Sequence, residues 1–134
     1  MAAPKVAVDI RNYLVDTVGL SSVNIDGLTP TPINQYAVVE FAGPPNIKTH
    51  GSAGANKHIV LDEANIQIMA RHTSAQTART NIMAVVDALD GLEDVTINST
   101  VYTFLTGISR PRKLTTQEDG SVIFIWEVRC QARR

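Results

Sequence analysis

The chain has 134 residues, 44% apolar and 19% charged, enough for one domain with a sizeable core and too few for two comfortable ones. Aromatic residues make up only 5%, which speaks against a base-stacking platform or a carbohydrate groove, and the single cysteine excludes an intrachain disulfide. The net charge is −1 but unevenly spread: residues 1–100 hold six Lys/Arg against ten Asp/Glu, a net of −4, and residues 101–134 hold six against three, a net of +3.

Pro4 suits a first helical turn, and Val6, Ile10, Tyr13, Leu14 and Val18 then recur at helical spacing before Gly19, so a helix is predicted over residues 4–18. Neither this segment nor any other is an apolar run approaching the roughly 18 residues a membrane span needs. The expectation is a protein made and folded in a cytosol, with no membrane partner. Residues 23–25 read as a short strand, after which Asp26-Gly27 and Thr29-Pro30-Thr31-Pro32 break regular structure. A better strand follows at 36–42, with Ala37, Val39 and Phe41 on one parity and Tyr36, Val38 and Glu40 on the other.

Residues 43–57 have almost nothing apolar to pack and are predicted to be a long, flexible, irregular loop. Extended character resumes at 58–62 and 64–72, the second carrying Ile66, Ile68 and Ala70 on one face. Thr73 and Gln76 match the ends of a capping box, which places the N-cap of a second helix at Thr73. Its apolar stripe is Ala78, Ile82, Val85, Val86 and Leu89, and Gly91 supplies a stop. Strands at 95–97 and 101–108 are joined by a hairpin turn at Asn98-Ser99.

The chain closes with a basic segment containing Arg110, Arg112 and Lys113, a Glu118-Asp119-Gly120 turn, and a strict alternation to the C-terminus. One parity of that last strand reads Val122, Phe124, Trp126, Val128, Cys130, the other Ile123, Ile125, Glu127, Arg129, Gln131, Arg133. The first parity is core, Cys130 included. Ile123 and Ile125 fit either burial under a helix or packing between subunits. The strand is also longer than most domains need, a surplus that calls for a use. Because strands occur in consecutive runs rather than alternating with helices, the expected fold is a single α+β domain over 1–134: a mostly antiparallel sheet, two helices packed on one face and a long C-terminal β-hairpin.

Candidate chemistry is thin. The glycines at 51 and 54 have the wrong spacing for a Walker loop, and Lys57 precedes a strand rather than a helix. The GXXG they form lacks the flanking helices of a KH domain. His50, His58 and His72 show no short ligand spacing, so neither metal nor cofactor is expected. Asp87, Asp90, Glu93 and Asp94 read as a solvated acidic edge or a patch for a basic partner. No pattern reads as an active site, and the protein is expected not to be an enzyme.

The opening helix, the strand at 36–42, the strand-helix pair at 64–89 and the pattern Ser109-x-Pro111-x-x-Leu114-x-x-x-Glu118-Asp119-Gly120 before the closing strand together give a layout that resembles tailed-phage tail terminator and tail completion proteins. The resemblance covers nearly the whole chain. It implies a non-enzymatic virion protein of a siphophage neck, made in the host cytoplasm, whose subunits assemble into a ring, typically a homohexamer. Such a ring caps the finished tail tube and presents a head-tail joining surface. The implied partners are further copies of the chain, the tail tube protein, a head-completion or connector protein, and genomic DNA passing through the lumen without sequence recognition. Carried over by element, the candidate assembly contacts are Ile47, Lys48, His50 and Lys57 in the loop, Arg110, Arg112 and Lys113 in the basic segment, and Arg129 and Arg133 on the outward parity of the last strand. Alternatives are a head-completion or connector adaptor of the same junction and, in a different class, a small nucleic-acid or ligand binding module.

Overall fold

The computed structural model describes residues 6–25, 27–40, 46–51 and 58–133, with side chains excluded at 46–51, 58–62 and 133. Helix α1, Val6–Tyr13, buries Val6, Ala7 and Ile10, and it runs on into a π-helical turn, Leu14–Val18, in which Leu14 is fully buried. Gly19 ends it at φ 90, a left-handed position that glycine takes without strain, with its N–H donated to the Leu14 carbonyl.

Helix α2, Ala75–Leu89, packs Ala78, Ile82, Val85 and Leu89 inward, as the predicted stripe requires, with Val86 half-buried. Its N-cap is Ser74 rather than Thr73. Ser74 is the last extended residue (φ −100, ψ 123), its carbonyl accepts from Ala78 N at 2.9 Å and its Oγ accepts from Thr77 N at 3.3 Å. Thr73 lies one residue too early, so its backbone N–H goes instead to Asn34 Oδ1 at 3.2 Å.

Among the described residues eight strands form one sheet. They are β1 Val23–Asn24, β2 Gln35–Glu40, β3 Asn46–Gly51, β4 His58–His72, β5 Glu93–Ile97, β6 Thr100–Gly107, β7 Arg112–Thr116 and β8 Val122–Arg133. The long strands β4 and β8 pair antiparallel at the centre, Leu61 opposite Arg133 and His72 opposite Val122. Each long strand carries two short ones in tandem along its outer edge: β2 and β3 on β4, β6 and β7 on β8. Strands β1 and β5 extend the sheet from β2 and β6, and only β1 pairs parallel. The surplus length of the last strand is therefore used inside the subunit, since a 12-residue strand of about 40 Å is needed to span two neighbours end to end.

Three expectations change here. The extended stretches at 58–62 and 64–72 are one uninterrupted strand, β4. The irregular loop expected at 43–57 contains β3, which pairs with β4 from Asn46 opposite Glu63 to Gly51 opposite His58. An edge strand satisfies its backbone through the ladder and needs little apolar surface, which is why the composition misled. The C-terminal hairpin pairs β6 with the far half of β8 as expected, but the basic segment, instead of forming its loop, enters β7, which returns through Gln117–Ser121 into the near half. There the Gln117 N–H donates to the Ser121 carbonyl at 2.8 Å and Gly120 sits at φ 87, a three-residue turn with a glycine bulge. The Asn98-Ser99 turn is as expected, both residues at positive φ (50 and 67), the geometry of a tight hairpin turn.

Both helices cover one face of the sheet, and the core lies between. Trp126 and Tyr102 are the largest side chains fully buried there. Gly107 on β6 lets the indole in, because a Cβ at that position would stand 2.9 Å from Trp126 Cζ2. Tyr102 also ties α1 to the sheet, its hydroxyl donating to the buried Asp9 carboxylate, which takes a second bond from Asn98 Nδ2 at 3.1 Å. Ile123 and Ile125, only 5% and 3% exposed, lie on the opposite face from their neighbours Phe124 and Trp126 and so are not under a helix. The segment 27–34 is held on that side by the buried Arg71, which stands opposite Ile123 and donates to the carbonyls of Thr29, Pro32 and Ile33. Gln35 adds bonds to Thr29 and Pro32.

Candidate assembly surfaces

The candidate contacts other than Arg129, which lies midway along β8, separate into two groups at opposite ends of the central strands. Ile47, Lys48 and His50 lie on β3, and the backbone register places Lys48 opposite Leu61, which in turn stands opposite Arg133. Among the described residues, His58, Ile59 and Val60 of β4 continue past the last β8 pair and are paired only with β3, so there this hairpin extends beyond the central ladder. Lys57 lies outside the described residues.

The second group sits about 26 Å away, at the other end of β8. Arg112 stands opposite Ile125 and Lys113 opposite Phe124. Antiparallel partners share a face, so Arg112 points to the side away from the helices and Lys113 to the helix side. Arg112 Nη2 donates to Glu127 Oε1 at 3.2 Å, an exposed pair worth at most about 1 kcal/mol. Arg110 is exposed in the connection before β7. Arg129, opposite Thr106, lines an open cleft of about 310 Å³ with Phe104, Gly107 and Ile108 on the face away from the helices.

On the helix side, Lys113 shares a cleft with a residue that sequence reasoning missed. Arg79 of α2 lies over the Phe124 ring, 5.6 Å from its centroid, and with Ile82, Met83, Pro111, Arg112 and Lys113 they line a cleft of about 260 Å³. The available signal was an exposed basic residue one helical turn before an exposed methionine. Met83 is 42% exposed, and Leu114, pushed out where the β7–β8 register slips, is 50% exposed. The acidic residues Asp87, Asp90, Glu93 and Asp94 are all exposed at the other end of α2 and the start of β5. Asp90 is partly committed, since its Oδ1 accepts from Gly107 N at 2.8 Å.

The titratable groups with displaced behaviour are structural. Burial pushes the Cys130 thiol up to about 12. Burial, with the Asp9 hydrogen bond behind it, raises Tyr102. The Ser121 hydroxyl and N–H hold Asp119 below its ordinary value and shape the turn before β8. No group of three or more His, Cys, Asp or Glu converges as a metal site among the described residues, and no helix there is long and apolar enough to cross a membrane.

Residues 43–133 match the family described as bacteriophage tail terminator protein. Among solved structures, a chain from the virion of a native gene transfer agent particle is similar over 98% of this chain and 87% of its own, with 17% identity and a TM-score of 0.53. At that identity the likeness is one of fold. No protein of curated function matches the sequence.

Proposed function

Since the chain belongs to the bacteriophage tail terminator family, and is thereby a structural component of the phage virion, we propose that its subunits form a homohexameric ring that closes the finished tail tube of a siphophage and offers the neck a head-tail joining surface. The observation carrying this reading is the span of the family match, which takes in both long strands, α2 and both groups of candidate contacts. In this reading the subunit is made in the host cytoplasm and adds to the tube as a single domain.

A ring of identical subunits needs a heterologous interface, in which one surface meets a different one, and charge asymmetry suits that requirement. The projecting β3–β4 hairpin, with Ile47, Lys48, His50 and the adjoining Lys57, reaches a neighbour or the tube protein. The basic residues at 110–113, Arg129 and Arg133 serve as contacts to the connector protein or as lumen-facing charges past which genomic DNA moves without sequence recognition. Electron microscopy of particles made without the protein tests this: overlong tails are the expected result. Tails of normal length beside unattached heads would overturn it in favour of a connector adaptor.

A further inference from the structure

The exposed charges of α2 run against its own dipole. Arg79 lies near the N-terminus, Asp87 in the last turn and Asp90 at the C-cap, with no acidic residue in the first turn and no basic residue in the last. A helix dipole favours the reverse order, which leaves Asp87 and Asp90 at the unfavourable end in the isolated subunit. Arg79, Met83 and Asp87 follow at four-residue intervals and therefore share one exposed stripe, positive, apolar, then negative. Strand β7 enlarges the positive end with Lys113 at the cleft over Phe124, and the start of β5, a few residues past the helix, carries the exposed Glu93 and Asp94. Lys113, Asp87, Glu93 and Asp94 have no ion-pair partner within the described residues. Arg79 and Asp87 are about 12 Å apart along the helix, more than a Debye length at physiological salt and too far to neutralise one another.

We propose that these poles are the two halves of one interface between copies of this chain: the acidic end, Asp87, Glu93 and Asp94, seats against the cleft formed by Arg79, Met83, Pro111 and Lys113 on the next copy. The inference rests on the ring reading and names the surfaces that join its subunits. Charge complementarity selects the occupant, since each pole is matched by the other pole of an identical molecule, and Met83 adds apolar surface that burial would remove from water. Because the poles occupy different places, the contact propagates from copy to copy.

Charge reversal tests the proposal with an internal control. Asp87→Lys/Glu93→Lys removes the acidic pole, and Arg79→Glu/Lys113→Glu removes the basic one. Asp87→Lys improves the match to the helix dipole while Arg79→Glu gives up the contact with the Phe124 ring, so a thermal scan is expected to show both variants folded, the second melting at most a few degrees below the unaltered protein. Light scattering at high protein concentration and low salt should show the unaltered chain associating beyond a dimer and each variant weakened by at least about tenfold. An equimolar mixture of the two variants should recover that association, because each then supplies the charge the other lacks. A mixture no better than either variant, single variants that associate normally, a mixture that stops at dimers, or an unaltered chain that stays monomeric throughout would each overturn the interface. The ring reading fails separately: if association follows the expected pattern while particles lacking the protein keep tails of ordinary length, the interface stands and the terminator role does not.

Discussion

Cys130 is fully buried on β8, opposite Ala64 of β4 and Leu105 of β6. Burial penalises the thiolate, so the folded protein holds the thiol proton up to about 12, while the unfolded chain releases it near 9.0. The folded state then binds more protons than the unfolded one above pH 9, and stability falls as pH rises from there. Tyr102 acts with the same sign above its ordinary 10.0. The urea midpoint should be flat to about pH 8.5 and then decline, each group contributing up to about 1.4 kcal/mol per pH unit. Cys130→Ala should flatten the slope between pH 9 and 10 while leaving the part due to Tyr102. An unchanged slope in that variant would count against the assignment. Parity alone put Cys130 in the core. The Asp9–Tyr102 bond was out of reach, because its partners lie in distant parts of the chain and meet only once α1 docks on β6.

At the scale of elements, the start of α2 separates a sequence motif from the structure that uses it. Thr73 and Gln76 have capping-box spacing, yet the chain leaves extended geometry one residue later, at Ser74. Ser74→Ala should lower stability by about 1 kcal/mol and Thr73→Ala by much less, measured as shifts in the denaturation midpoint. Equal losses, or the reverse order, would return the cap to Thr73. Helical periodicity located both helices correctly because a 3.6-residue stripe is a local property. The strands β3 and β7 were read as loops because edge strands are specified by the partner they pair with, and β4 and β8 supply that partner from elsewhere in the chain.

For the molecule as a whole, the buried parity opposite the helices decides whether the sheet's second side belongs to the subunit or to an assembly. Ile125 is 3% exposed in the lone chain, on the side held by Arg71 and the 27–34 segment. Ile125→Ala should therefore destabilise the isolated subunit by about 3 kcal/mol, with a melting temperature independent of protein concentration. A loss seen only in assembled material would mean that another copy provides the burial. The same architecture sets the two groups of candidate contacts apart: Arg133 stands level with β3, across β4, at one end of β8, while Arg112 and Lys113 stand at the other.

The sequence by itself determined the α+β class, both helices, the core parity of the last strand, the two tight turns and, through its layout, the family. These depend on side-chain period and on residues whose backbone preferences act locally. Tertiary structure alone decided that β8 uses its length to hold two short strands, that Ile123 and Ile125 are buried away from the helices, and that Arg79, Lys113 and Phe124 line one cleft. Each of these depends on which distant segments pair and in what register, which no local pattern encodes.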